Sequence, residues 1–125
     1  REFQQRAGVE VNVIASGELA LSSGQRLALY RIVQESLTNV ARHARATTAS
    51  IRLQMAASGL TLTISDDGSG FDLDQALPAS FGLRSMQQRA RSIGAALSIQ
   101  TAPGQGTTIA VHLAFRRAAG APRTL

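Results

Sequence analysis

Residues 60–71 read LTLTISDDGSGF, an alternation of apolar and polar side chains that ends in two carboxylates and two glycines. The alternation predicts a half-buried β-strand, and Asp66 stands at its end, where the backbone would hold the carboxylate in place. Gly68 and Gly70 let another group approach the main chain closely, because they have no Cβ. A fixed acceptor beside bare backbone indicates a site for a flat polar ligand that carries an exocyclic amine. A strand followed by an ordinary Asp-Gly turn is the alternative for this stretch taken alone.

The composition is that of one folded domain. A length of 125 residues with 44% hydrophobic residues is enough to bury a core. The chain has no cysteine, which excludes disulfides and thiolate metal sites, and its two histidines are isolated in the sequence. No segment approaches the ~20 apolar residues of a membrane-spanning helix. We therefore expect a soluble domain in a reducing, cytoplasmic setting, without membrane contact.

The formal net charge is +5, and all thirteen basic residues are arginines. These arginines are spread over several predicted elements, and one tyrosine accompanies them. A stacking surface for nucleic acid is therefore not expected. A phosphate-bearing small ligand or an acidic protein partner suits the charge better.

The rest of the chain adds further strands and two helices. The residue pattern predicts strands at 9–15, 49–56, 60–65, 95–101 and 107–115 and helices at 24–44 and 81–93. The second and third strands form a hairpin around the turn Ala57-Ser58-Gly59, and residues 72–80 form an irregular, mobile segment of the kind that acts as a lid. Because hairpins dominate and the helices can share one face, we expect an α+β two-layer sandwich, with a mixed sheet of about five strands and helices on one face.

The domain boundaries follow from the same pattern. Residues 9–115 are assigned to one domain, residues 1–8 to a linker cut from an upstream segment, and residues 116–125 to a flexible tail. Within the domain, Ser22 or Ser23 is expected to cap the first helix and Gly94 to end the second.

The first helix carries an apolar line and a polar line. The apolar line, expected to face the sheet, consists of Leu29, Ile32, Val33, Leu37, Val40 and Ala41. Glu35, Asn39 and His43 follow at i, i+4 and i+8 and project from nearly one side. Gly82 begins the second helix, where free N–H groups attract phosphate. Together with Asp66, these groups suit a nucleoside triphosphate with magnesium.

Four motifs in this order resemble those of the gyrase, chaperone, histidine-kinase and mismatch-repair (GHKL) ATP-binding fold. They are Glu35-x-x-x-Asn39 with Arg42-His43-Ala44, Asp66-x-Gly68-x-Gly70, Phe81-Gly82-Leu83-x-x-Met86 and Gly104-x-Gly106-Thr107. More narrowly, residues 29–35 and 82–86 resemble the catalytic domain of bacterial sensor histidine kinases of the nitrate-sensor and desaturase-sensor type. Ser80 stands where the third of these motifs usually has its first glycine, so the hinge of the lid is expected to be stiffer.

The resemblance implies roles for individual residues. Asp66 would accept a hydrogen bond from the adenine 6-amino group, and Gly70 would let the purine approach. Asn39 would offer its side-chain oxygen to Mg²⁺ between the phosphates, which suits the oxygen preference of that ion. Glu35 would hold a magnesium-bound water or, in hydrolytic relatives, act as a base. The alternative for Glu35 is an i,i+4 pair with Arg31.

Other positions are carried over as ATP contacts. Arg42 and His43 would contact phosphate and ribose, and a purely structural His43 is the alternative. Arg84 either reaches the γ-phosphate or is solvated on the helix surface, and His112 is expected to point outward from the last strand. The remaining expected ATP-binding residues are Gly68, Phe71, Gly82, Leu83, Gly106 and Thr107.

The implied activity is that of a protein-histidine kinase in two-component signalling. The γ-phosphoryl group of ATP would pass to a histidine on a helical dimerisation domain N-terminal to this one, and a response regulator would then be the partner. Without that domain, this chain should bind Mg-ATP and not phosphorylate itself. Three alternatives stay open: an anti-sigma-type serine kinase, a gyrase- or chaperone-type ATPase, and a degenerate binding module. The ATPase branch uses a lysine from a following domain, and this chain has no lysine.

Overall fold

The computed structural model describes residues 10–16, 21–40, 47–70 and 81–115. Its elements are β1 Glu10–Ser16, α1 Ser23–Asn39, β2 Thr48–Ala56, β3 Gly59–Asp66, α2 Phe81–Ser92, β4 Ala96–Thr101 and β5 Thr107–Ala114. The predicted order of strands and helices is confirmed. The predicted linker, lid, tail and last turn of α1 beyond residue 40 lie outside the described residues.

The strands form one sheet in the order β1-β2-β3-β5-β4. The part from β2 to β4 is an open antiparallel sheet, and β1 lies parallel to β2 at its edge. Since two parallel neighbours need a crossover between them, α1 connects β1 to β2. The α+β class and the mixed sheet are thus confirmed.

Both helices pack on the same face of this sheet. The core combines α1 residues, α2 residues and the inward side chains of β3 and β5, namely Leu29, Ile32, Leu60, Leu62, Ile64, Leu83, Met86, Ala90, Ile109, Val111 and Leu113. Three of them, Ile32, Met86 and Val111, are the largest side chains that are fully buried. The two-layer arrangement with helices on one face is therefore confirmed.

The apolar line of α1 differs from the predicted one at one turn. Leu37 is only half-buried, whereas Ser36 is 2% exposed. A serine is tolerated there because its hydroxyl donates to the carbonyl of Ile32 at 2.7 Å and to Sδ of Met86 at 3.3 Å. The Ser36 contact joins α1 to α2 in the core.

The turn between β2 and β3 has two residues, so the predicted three-residue turn that included Gly59 is wrong. Gly59 lies in β3 opposite Ala56. A Cβ on Gly59 would lie 2.5 Å from the carbonyl oxygen of Leu113, so a glycine is needed for the approach of β5 and not for the turn. The shorter turn shifts the register by one residue and places Asp66 opposite Ala49.

The predicted cap at the start of α1 and the predicted end of α2 are confirmed. Ser22 caps α1, because its hydroxyl accepts from the N–H of Gln25 at 3.1 Å while the Gln25 side chain accepts from the N–H of Ser22 at 2.9 Å. Gly94 follows α2 with φ of 72°. The N–H groups of Gly94 and Ala95 donate to the carbonyls of Arg91 and Ala90, which closes the helix in a Schellman motif.

Candidate functional site

The loop after β3 packs against the turn before β5. We call this contact, between residues 66–70 and 102–107, the glycine junction. Gly70 and Gly106 have φ of 64° and 71°. A Cβ on Gly106 would collide with the carbonyl oxygen of Asp66, and one on Gly70 would collide with the carbonyl oxygen of Ala102. The second and fourth of the four motifs therefore meet, backbone against backbone.

Asp66 is held at the centre of the glycine junction. Its Oδ1 accepts from the N–H of Gly68 at 2.8 Å, and the backbone of Thr107 is opposite it in the sheet. Burial raises the pKa of Asp66 and its neighbour Asp67 raises it further, while the N–H groups of Gly68 and Thr107 act against this. The structure thus holds the Asp66 carboxylate at the end of β3, where the sequence predicts a fixed acceptor, and buries it in part.

Asp67 is a site residue that the sequence analysis missed. Its Oδ1 accepts from the N–H of Thr47 at 2.9 Å and of Thr48 at 3.0 Å, and its Oδ2 accepts from Oγ1 of Thr47 at 2.7 Å. These hydrogen bonds hold the pKa of Asp67 far below its usual range. The sequence contains a signal for this contact. If the turn has two residues, counting residue pairs outward along the hairpin places Asp67 opposite Thr48.

A second contact, which we call the helix junction, joins α1 to α2 through Glu35, Ser36, Gly82 and Met86. A Cβ on Gly82 would lie 2.5 Å from Oε2 of Glu35 and 2.9 Å from its Cδ, so the carboxylate rests against the bare Cα of the glycine. Arg31, the alternative partner of Glu35, donates instead to Oε1 of Gln34 at 3.0 Å. The helix junction brings the first and third of the four motifs into contact, although β2 and β3 lie between them in the sequence.

The remaining predicted residues have mixed placements. Asn39 is half-buried and is the last residue of α1. Leu83 is 3% exposed in the core, so a ligand would meet its main chain. The hydroxyl of Thr107 lies 2.9 Å from that of Thr101. His112 is exposed on β5, which confirms its outward position.

The predicted contacts Arg42, His43 and Phe71, together with Ser80, lie outside the described residues.

Within the described ranges, no group of three or more histidine, cysteine or acidic side chains is placed to hold a metal ion. In the same ranges, none of the helices is long and apolar enough to cross a lipid bilayer.

Comparison with known proteins agrees with this geometry. A family model described as histidine kinase-, DNA gyrase B-, and HSP90-like ATPase matches residues 24–117. The sensor histidine kinase LiaS of Bacillus subtilis (strain 168) is 37% identical over 112 residues, which cover 90% of this chain and 31% of LiaS. The histidine-protein kinase/phosphatase DegS of Brevibacillus brevis is 33% identical over 115 residues, 90% of this chain and 30% of DegS. The chain thus spans about a third of these relatives.

A solved structure gives the same result in three dimensions. The histidine kinase domain of the blue-light activated histidine kinase from Erythrobacter litoralis EL346 superposes with a TM-score of 0.73 and 25% sequence identity. The match covers 90% of this chain and 55% of that one.

Proposed function

Because this chain belongs to the histidine kinase-, DNA gyrase B-, and HSP90-like ATPase family, we propose that it binds Mg-ATP and donates the γ-phosphoryl group to a histidine in two-component signalling. The observation that carries the proposal is the placement of Asp66, an acceptor held at the end of a strand beside the bare backbone of Gly70 and Gly106. The names of its relatives, which are sensor histidine kinases, support the choice of reaction.

The adenine would lie at the glycine junction. Asp66 would accept from the 6-amino group, and its partly desolvated carboxylate gains from such a donor, since a buried charge without partners is costly. Gly68 and Gly70 would leave room for the purine ring. A guanine presents a carbonyl oxygen at the same position, so Asp66 would reject it.

The phosphates would lie towards the helix junction. Asn39 would offer its side-chain oxygen to Mg²⁺, and Glu35, resting on Gly82, is placed to hold a magnesium-bound water. When bound, the ion would neutralise charge on the phosphate oxygens. The first N–H groups of α2, which begins at Phe81, would attract the phosphate chain. Arg42, His43 and Phe71 are proposed as further nucleotide contacts, as are the backbones of Leu83, Gly106 and Thr107.

The reaction would depend on position and charge and not on a nucleophile of this chain. Phosphoryl transfer needs the donor held in line with its acceptor and the charge of the phosphates neutralised. We propose that the acceptor histidine lies on an upstream dimerisation domain and that a response regulator takes the phosphoryl group onward. We further propose a cytoplasmic location and, from residues 29–35 and 82–86, the nitrate-sensor and desaturase-sensor type.

Calorimetric titration of Asp66→Asn with ATP and with GTP tests the proposal. The asparagine amide can donate to a carbonyl, so we expect ATP affinity to fall about ten- to hundredfold and the preference over GTP to disappear. Gln54→Ala, an exposed change in β2 at the far end of the sheet, serves as the control and should leave both affinities unchanged. Equal affinities of the unaltered chain for ATP and GTP would contradict the proposal.

The phosphoacceptor is tested separately. Full-length protein incubated with ATP should carry acid-labile phosphate on histidine. An acid-stable phosphate on a protein partner would instead indicate the serine-kinase alternative.

A further inference from the structure

Asp67 extends the β2–β3 hairpin beyond the end of its backbone ladder. The regular pairing ends where Asp66 lies opposite Ala49. One residue further, the N–H of Asp67 donates to the carbonyl of Thr48 at 3.3 Å, and its carboxylate takes the N–H groups of Thr47 and Thr48. The hydroxyl of Thr47 adds a fourth hydrogen bond at 2.7 Å. A side chain thus continues the strand pairing to the point where the chain turns away at Gly68.

The loop that follows β3 is consequently held from two sides. On one side, Asp67 ties it to the beginning of β2. On the other, the carbonyl of Ser69 accepts from the N–H of Gly104 at 2.5 Å, and Gly70 lies against the turn before β5. Asp66 and the N–H of Gly68 that it accepts lie between these two anchors.

Asp67 is exposed, so it is not itself part of a buried ligand pocket. Its three acceptor contacts leave its carboxylate engaged with the protein, whereas the carboxylate of Asp66 is turned to the junction with Gly68 and Thr107. The two adjacent carboxylates therefore have different contacts: that of Asp67 holds the loop to the start of β2, and that of Asp66 lies at the glycine junction.

We propose that Asp67 is a positioning residue for nucleotide selection: by clamping the loop to the start of β2, it sets the direction of the Asp66 carboxylate and so the discrimination between adenine and guanine. The proposal rests on the function proposed above. A purely structural Asp67 would lower the stability of the fold and leave the folded protein with unchanged nucleotide preference.

A graded series of variants separates these two roles. Asp67→Ala removes all three acceptor contacts, Asp67→Asn keeps an oxygen for the two N–H groups, and Thr47→Val removes only the hydroxyl donor. Ser50→Ala, an exposed change two residues along β2 from Thr48, is the control. Each variant is studied at a temperature where circular dichroism shows it to be folded.

The first measurement is amide hydrogen exchange of Gly68 without nucleotide. Its N–H donates to Asp66, so its exchange reports the orientation of that carboxylate. We expect the exchange to accelerate in the order Thr47→Val, Asp67→Asn, Asp67→Ala, with Ser50→Ala equal to the unaltered chain. Unchanged exchange in Asp67→Ala would overturn the proposal.

The second measurement is the ratio of ATP to GTP affinity. We expect the ratio to fall about tenfold in Asp67→Ala, the effect of one misaligned hydrogen bond to a ligand, and less in the two milder variants. A lower melting temperature with an unchanged ratio would overturn the proposal. If the unaltered chain bound neither nucleotide, the proposed function would fail, and the exchange measurement would still decide whether Asp67 orients Asp66.

Discussion

The glycine junction and the helix junction both join distant parts of the sequence, but they are built from different material. At the glycine junction, Gly70 and Gly106 face carbonyl oxygens of the main chain. At the helix junction, Gly82 faces the end of the flexible Glu35 side chain. Because of this difference, we expect a glycine-to-alanine change to lower mainly the stability of the fold at the glycine junction and mainly the binding of Mg-ATP at the helix junction.

The largest expected effect is that of Gly106→Ala. The substitution requires both a positive φ and movement of the Asp66 carbonyl, so we expect a loss of about 3 kcal/mol or more in the free energy of unfolding. Denaturation with urea measures it. Gly104→Ala is the matched control, because Gly104 has φ of 80° but no atom within 4 Å of a Cβ. It should cost only the strain of the left-handed backbone, about 1–2 kcal/mol. If both variants lost the same free energy of unfolding, the collision with the Asp66 carbonyl would add nothing to the strain of the left-handed backbone.

Ser36→Ala tests the interior of the helix junction. The change removes a hydroxyl that donates to Ile32 and Met86 but leaves no buried donor without a partner. We expect a loss of about 0.5–1 kcal/mol in the free energy of unfolding, measured by urea denaturation. A loss as large as that of Gly106→Ala would mean that the helix junction is as intolerant as the glycine junction.

Gly82→Ala should change stability least and function most. The Glu35 side chain can rotate away from a new methyl group, so the free energy of unfolding should change by less than about 0.5 kcal/mol. The displaced carboxylate would no longer be placed beside the phosphates, and we expect weaker Mg-ATP binding by calorimetry. Glu35→Gln keeps the shape of the side chain and removes its charge, so it is the comparison variant that shows what loss of the carboxylate charge alone does to Mg-ATP binding. Unchanged binding in Gly82→Ala would show that the position of Glu35 is not important for the nucleotide.

A smaller effect of pH distinguishes the two carboxylates of the glycine junction. The pKa of Asp67 is lowered in the folded state, so its contribution to stability is present above its ordinary value of 3.8 and is lost as the pH falls below it. The pKa of Asp66 is raised, so its contribution is present below 3.8 and is lost as the pH rises through the folded value. The effect of Asp67 is modest, because Asp67 is exposed and solvent screens its interactions.

Urea denaturation between pH 3 and pH 6 measures these contributions. Relative to the unaltered chain, Asp67→Asn should lose stability mainly at the upper end of this range, and Asp66→Asn mainly at the lower end. Parallel pH profiles for the two variants would contradict the opposite shifts.

Patterns between near neighbours in the sequence predicted most of the fold. The alternation in residues 49–56 and 60–65 and the helical spacing of Leu29, Ile32 and Val33 indicated the elements, because periods of 2 and 3.6 residues are local properties of the backbone. Ser22 and Gly94 were identified as helix ends for the same reason. Asp66 was placed at the end of a strand by the run that precedes it.

The predictions from the sequence are wrong or incomplete where the position of a residue is set by a contact with a distant part of the chain. Glycine is typical of turns, yet Gly59 is a strand residue, because the close approach of β5 leaves no room for a Cβ at this position. Ser36 interrupts an apolar line, and its contact with Met86 of the other helix is not visible in the local sequence pattern. The role of Asp67 is not predicted, because a shift of one residue in the register of the hairpin decides whether Asp67 lies opposite Thr48.

The amino-acid sequence predicts the kinds and order of the elements, the end of β3 at Asp66 and the resemblance to an ATP-binding family, because each depends on short-range periodicity or on a motif. Three contacts become visible only in the folded chain: Glu35 rests on Gly82, Gly106 lies against the carbonyl of Asp66, and Asp67 holds the loop to β2. Such contacts depend on turn lengths and on close packing between distant segments, and a closely packed interior allows only one arrangement of those segments.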